Sequence, residues 1–188
     1  MHSLPIAAGK SSFDLIDSKE FFSRIGLAAN AQVLDMACGV GRYSLAMAEL
    51  VKQGTVYAVD LWDEGIEILE KTVREKGLDR IRQIKGDITK RLPLADRSVD
   101  VCLMATILHD LAPAGRSAAL HEAARVLKSG GTLAVVEFKK IDRGPGPPAA
   151  IRLTEEEAEM IIGSCGFRKT YGGDVGEYNY LLLFQKAI

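Results

Sequence analysis

The chain has 188 residues, about half of them apolar and a quarter charged, with a formal net charge of -1. This composition excludes a disordered or fibrous protein and predicts one domain, residues 1–188, with an ample core. Lysines and arginines are interleaved with acids or apolar positions, the longest apolar runs are too short to span a bilayer, and the N-terminus lacks a leader pattern, so a soluble, cytoplasmic chain is expected, with neither nucleic acid nor membrane as partner.

In chain order, residues 1–30 read as an N-terminal lid and helix segment. GKSSFDLID, Gly9 to Asp17, places Phe13 and Leu15 either over a ligand or as a staple for the next helix. SKEFFSRIGL forms that helix, with Ser18 as its cap and Phe21, Phe22 and Ile25 on one face. Five short β-branched, apolar segments follow: QVLDMA, TVYAVDL, IRQIKG, VDVCLMA and GTLAVVEF. Segments of helical period separate most of them: RYSLAMAELVKQG, EGIEILEKTVREKG and GRSAALHEAARVLKSGG. Gly54, Gly77 and the pair Gly130 and Gly131 fall where helix C-caps belong. Near-continuous apolar strands of this kind suit a parallel sheet covered by helices on both faces.

Ile141 to Leu153, with three prolines and two glycines, reads as a long loop after the fifth strand. TEEEAEMIIGSCG then opens a helix at a Thr154 N-cap, with Glu157 in the capping-box position. FRKTYGG and EYNYLLLFQKA, joined by DVGE, close the chain as an antiparallel hairpin. The three cysteines, Cys38, Cys102 and Cys165, are too few and too far apart for a disulfide framework, and no C-x-x-C pair offers a metal site, so no metal is expected.

The segment VLDMACGVGRYS carries the chemistry. Asp35 ends an apolar strand, and Gly39 and Gly41 form the turn into a helix, which clears the backbone for close approach. A lone G-x-G is at least as often a simple turn. A second carboxylate, Asp60, ends the second strand 19 residues after Gly41, where it can accept two hydrogen bonds from a ribose diol. Asp35 before the turn would repel a pyrophosphate and attract an ammonium, which argues against a nicotinamide dinucleotide.

These residues, followed by VYAVDL, IKGDI and VDVCLMATILHDL, resemble in order the motifs of class I S-adenosylmethionine-dependent methyltransferases. The likeness is greatest to the methyltransferase type 11 branch that includes ubiquinone/menaquinone-biosynthesis enzymes. The resemblance implies an α/β, Rossmann-like seven-stranded mixed sheet, ordered 3-2-1-4-5-7-6 with strand 7 antiparallel and helices on both faces. It implies S-adenosylmethionine as cofactor, S-adenosylhomocysteine as product, and a small-molecule acceptor. Residue by residue, the first motif reads Asp35, Met36, Ala37, Cys38, Gly39, Val40 and Gly41, with Ala37 standing where the family has its first glycine. Asp60 matches the ribose-binding acid, and Leu61 would pack on adenine. Asp87 and Ile88 match the adenine-binding pair, although Asp87 alone reads as a turn residue. Ala105 and Thr106 match the strand end beneath the transferable methyl, although Thr106 alone reads as a core threonine. Phe13 would close over the cofactor from the N-terminal segment.

Methyl transfer from a sulfonium needs orientation and a dry site more than a reactive side chain. For a hydroxyl acceptor, His109, with Asp110 beside it, is the candidate base; His2 is terminal and His121 lies within a helix. A non-catalytic cofactor-binding subunit and a nicotinamide oxidoreductase are the alternative functions. Substrate choice is expected to lie with the Ile141–Leu153 loop and the segment around Phe13.

Overall fold

The computed structural model describes residues 11–186; His2 and residues 1–10 of the expected N-terminal segment lie outside them. After a 3-10 turn at Ser12–Leu15, the elements are α1 (Ser18–Ile25), β1 (Gln32–Met36), α2 (Arg42–Leu50), β2 (Thr55–Asp60), α3 (Asp63–Lys76) and β3 (Ile81–Lys85). Then come β4 (Val99–Ala105), α4 (Pro113–Val126), β5 (Leu127–Phe138), α5 (Glu155–Gly163), β6 (Phe167–Asp174) and β7 (Asn179–Lys186). They build one seven-stranded sheet of order β3-β2-β1-β4-β5-β7-β6. β1 to β5 pair in parallel, and β7 runs antiparallel to both β5 and β6. The strand order and the reversed seventh strand agree with expectation.

Strand periodicity sorts the core onto two faces. Leu34, Met36, Cys102, Met104, Leu133 and Val135 pack with Leu120 and Ala123 of α4 and Ile162 of α5. Val33, Val56, Ala58, Leu103 and Ala134 face the other way, toward Phe21 of α1, Met47 of α2 and Leu69 of α3. Both faces of the inner parallel strands β1, β2, β4 and β5 are therefore buried, which is why those segments read as near-continuous apolar runs, whereas the edge strand β3 keeps exposed charges at Arg82 and Lys85.

Several boundaries differ from expectation. Asp17, not Ser18, caps α1: its Oδ1 accepts from the backbone N–H of Lys19 at 3.0 Å and of Glu20 at 3.1 Å. A carboxylate one residue earlier reaches the free amides of the first turn and also complements the helix dipole. Gly77 does terminate α3 in the left-handed region, at φ 63°. Gly54 is not a cap, because α2 ends at Leu50 with Val51 as its C-cap; a Cβ at Gly54 would run into the Ala31 carbonyl. Gly130 and Gly131 do not cap α4 either. That helix stops at Val126 and passes directly into β5, where the pairing with β4 is irregular between Val99 and Val101. The Thr154–Glu157 capping box is present, with Glu157 N–H donating to Thr154 Oγ1 at 3.2 Å and Thr154 N–H to Glu157 Oε2 at 2.7 Å. Among the described residues no helix is long and apolar enough to cross a membrane.

Candidate active site at the carboxyl edge of the sheet

The parallel strands end together at one edge, where the turn between β1 and α2 lies beside the end of β2. Ala37, Gly39 and Gly41 all hold positive φ, at 66°, 55° and 78°. Cys38 N–H donates to Val59 O at 2.9 Å, and Gly39 N–H donates to Asp60 Oδ2 at 2.7 Å, so the turn is hung on β2. The other oxygen of Asp60 accepts from Trp62 N–H at 2.8 Å. Each carboxylate oxygen has a second lone pair, so Asp60 keeps acceptor capacity toward the open side.

The glycines differ in what surrounds them. Nothing lies within 4 Å of where a Cβ at Gly39 would stand, whereas at Gly41 it would collide with the side chain of Leu69. Gly41→Val therefore meets both left-handed backbone and a packed leucine, and should lower Tm by several degrees. Gly39→Val should cost less stability but fill the open turn. Thermal melts beside cofactor titrations separate the two positions. Equal Tm losses at both would contradict the packing difference.

Asp35 is 1% exposed and accepts from Ser44 Oγ on α2 at 2.5 Å. Burial raises its carboxyl to about 7; the Asp60 charge adds to the rise and the Ser44 hydrogen bond offsets part of it. Burial likewise pushes the Cys38 thiol well up, which leaves it a small filler of the turn. Leu61, beside Asp60, is 64% exposed, an unusual position for a large apolar side chain. Asp87 Oδ1 accepts from both the N–H and the hydroxyl of Thr89, at 2.8 and 2.7 Å, the turn geometry its sequence context suggests. Ile88 is buried in the core, so its side chain packs inward.

At the end of β4, Ala105 is half-buried and Thr106 holds φ 54°, a strained setting for a β-branched residue. Thr106 N–H donates to Val136 O at 2.7 Å, and its hydroxyl lies 3.3 Å from that of Ser12. Ser12 also bonds the Tyr43 hydroxyl at 3.0 Å. Phe13 packs edge-on against Tyr43, with ring centroids 5.0 Å apart, within a cluster that includes Phe21 and Phe22. Asp17 N–H reaches Val175 O at 2.6 Å. The 3-10 turn thus crosses the carboxyl edge from β4 to the β6–β7 hairpin, and Phe13 anchors it.

His109 follows β4 in a short 3-10 turn and is buried, with a side chain 4% exposed. Its Nδ1 lies 2.5 Å from Oε2 of Glu137, a fully buried residue near the end of β5. Glu137 and Arg152 were not legible as site residues, although a single charge inside the apolar run LAVVEF is itself the mark of a paired buried group. Arg152, 4% exposed, donates to the carbonyls of Lys139, Ile141, Pro145 and Pro147 at 2.8–3.2 Å. Its guanidinium stands 5.4 Å from the centre of the Phe138 ring. The Pro-Gly loop is therefore folded around one buried cation. His121 is on α4 and bonds Ser117 one turn back, away from this cluster.

The residues fit an adenosyl cofactor carrying an ammonium. Leu61 offers bare apolar surface, Asp60 spare acceptors, and Gly39 an unobstructed turn. Residues 33–131 match the family described as Methyltransferase domain. The demethylmenaquinone methyltransferase of Lactobacillus johnsonii is 29% identical over 164 residues, 87% of this chain and 64% of that one. The ubiquinone/menaquinone biosynthesis C-methyltransferase UbiE of Bdellovibrio bacteriovorus is 32% identical, over 66% of this chain and 51% of its own. The chain thus spans between half and two thirds of the length of these curated relatives. A solved structure of a SAM-dependent methyltransferase from Aquifex aeolicus superposes with a TM-score of 0.85 at 29% identity, covering 92% of this chain and 91% of that one. With more than half of the chain matched, over the stretch that holds the glycine turn, Asp60, Asp87 and Thr106, this protein belongs to the methyltransferase-domain family and has the class I S-adenosylmethionine-dependent fold.

Proposed function

We propose that the chain transfers the methyl group of S-adenosylmethionine to a small aromatic hydroxyl compound of the quinol kind. The observation that carries this reading is the open Gly39 turn, hung on the strand-end carboxylate of Asp60 beside the exposed Leu61. The quinone-biosynthesis relatives support the choice of acceptor class. Family membership leaves no support for the nicotinamide alternative.

The cofactor, when bound, supplies a methyl on a positively charged sulfur, which an acceptor displaces in line. The chain's own residues do the rest. Asp60 would accept from the ribose hydroxyls and Leu61 would cover one face of the base. The Ala37–Gly41 turn bends the backbone out of the way. Ser12 and Thr106, bonded to each other, keep the N-terminal turn against the β4 end and exclude water there. Holding the partners in line contributes roughly 7–11 kcal/mol of barrier reduction, so orientation is the chain's main task. His109 takes the acceptor's hydroxyl proton.

Asp60→Ala is expected to weaken S-adenosylmethionine binding by about tenfold to a little over a hundredfold, since a charge-assisted hydrogen bond contributes about 1.5–3 kcal/mol. Calorimetry on a mutant that still melts cooperatively measures it. Asp60→Asn, which keeps one acceptor for the Gly39 N–H, controls for a collapsed turn. Unchanged affinity in both would remove Asp60 from the cofactor site. Release of S-adenosylhomocysteine only when an aromatic hydroxyl compound is added separates an enzyme from a cofactor-binding subunit.

A further inference from the structure

We propose that Glu137 is the positioning residue that makes His109 the proton acceptor for an aromatic hydroxyl, an inference that rests on the acceptor class proposed above. Glu137 is 0% exposed, and a carboxylate in such a place is costly unless fully paired. It is paired. Oε1 accepts from the backbone N–H of Leu108 at 2.8 Å and of His109 at 3.4 Å, while Oε2 meets His109 Nδ1 at 2.5 Å. From β7, Asn179 Nδ2 donates to the Glu137 carbonyl at 3.3 Å, which steadies the end of β5.

One carboxylate therefore holds both the backbone and the ring of the same histidine. With Nδ1–H committed to Glu137, Nε2 is the nitrogen left to act, and orientation of an imidazole by a buried acid is a general device of proton transfer. The nearest carboxylate to Nε2 is Asp110 Oδ1 at 3.5 Å, on a side chain 20% exposed, which gives the proton a way out to water. Arg116, from α4, bonds the carbonyls of Leu108 and His109 and fixes the turn from behind. The ring of Phe138 stands edge-on at 6.1 Å.

The step balances. The acceptor's O–H bond breaks, its proton goes to Nε2, and the electron pair stays on the acceptor. That pair forms the new bond to the methyl as the S–CH3 bond breaks with its electrons left on sulfur. Where a ring carbon takes the methyl, that carbon's own proton is the one lost overall and the hydroxyl is restored.

Burial pulls the pKa of the His109 imidazole down, but the hydrogen bond and charge of Glu137, with the charge of Asp110, together outweigh both burial and Arg116 and leave it above the ordinary value. The ion pair thus adds stability below about pH 6.5 and loses it as pH rises through the raised folded-state value. The free base, and with it turnover, appears on the alkaline side.

The test uses Glu137→Gln, which keeps an acceptor for Leu108 N–H and removes the charge, with reduced 1,4-naphthohydroquinone as the probe. Wild-type kcat is expected to rise along an alkaline limb. In the mutant, kcat should fall about tenfold or more and the limb should move to lower pH, because the Glu137 hydrogen bond and charge that raise the imidazole are gone. The S-adenosylmethionine Kd and the probe KM should stay within about twofold, and Glu137→Asp should recover part of the limb. A mutant with a lower Tm but an unmoved limb and kcat overturns the inference and leaves Glu137 a structural tie. If wild type does not methylate the probe, the acceptor reading fails on its own. The pair is then tested without the probe, by NMR titration of the His109 ring with pH: a titration that moves to lower pH in Glu137→Gln upholds it, and an unmoved one overturns it.

Discussion

Asp35→Asn is expected to raise the Tm of the ligand-free protein at pH 8 by as much as about 10 °C, with the gain shrinking toward zero as pH falls to 4. Folding lifts this carboxyl from the ordinary carboxylate range to about 7, chiefly because it is buried. Between those two values the folded state binds the extra proton, so stability falls as pH rises, and above 7 the cost of ionising a buried acid is complete. That cost is on the order of 4 kcal/mol. Asparagine still accepts from Ser44 Oγ but carries no charge. If the Asp35 charge attracts the cofactor's ammonium, as its place before the glycine turn suggests, the same mutant should bind S-adenosylmethionine at least about tenfold more weakly. Thermal melts from pH 4 to 9 beside calorimetry check both halves. A gain that does not depend on pH would show that the charge is not its source.

Arg152→Met is the second large effect. The guanidinium serves four loop carbonyls, and methionine replaces its volume without any donor. Hydrogen bonds to a charged group contribute about 1.5–3 kcal/mol each but do not add, and carbonyls released at the surface recover water, so a loss of about 3 kcal/mol is expected, or roughly 6–12 °C in Tm. The prolines keep the freed loop from becoming fully flexible. Amide exchange should speed up over residues 139–152, and the acceptor KM should rise while S-adenosylmethionine affinity stays within about twofold. If cofactor affinity falls instead, the loop belongs to the cofactor site.

The parallel strands were legible because the inner ones are buried on both faces, and the closing hairpin because its two strands lie a tight turn apart; the strand order followed from the family resemblance, not from any local pattern. Helix ends were less so. Asp17 and Ser18 are both good caps, and only the geometry of the first turn chooses between them. Gly54 and Gly130 resemble C-caps in sequence, yet one is required by a neighbouring carbonyl and the other sits in a strand irregularity. On the site, Asp60 and the glycine turn follow from spacing. The Ser12–Thr106 and His109–Glu137 contacts do not, because each joins residues far apart in the chain whose local patterns say nothing of one another. Arg152 was hidden in the same way, in a segment that reads as an ordinary loop end.

The position of β7 bears on how the chain is made. β7 pairs with both β5 and β6, so neither has its full set of partners until residues 179–186 have been synthesised. Until then β5 offers an open edge along Leu133–Val136, four residues that are wholly buried in the finished protein. At 5–20 residues per second, the edge stays uncovered on the ribosome for a few seconds. An apolar unpaired edge is what recruits a second nascent copy or a chaperone. Yield of folded protein should therefore depend on translation speed through the segment between β5 and β7 more than through any earlier stretch.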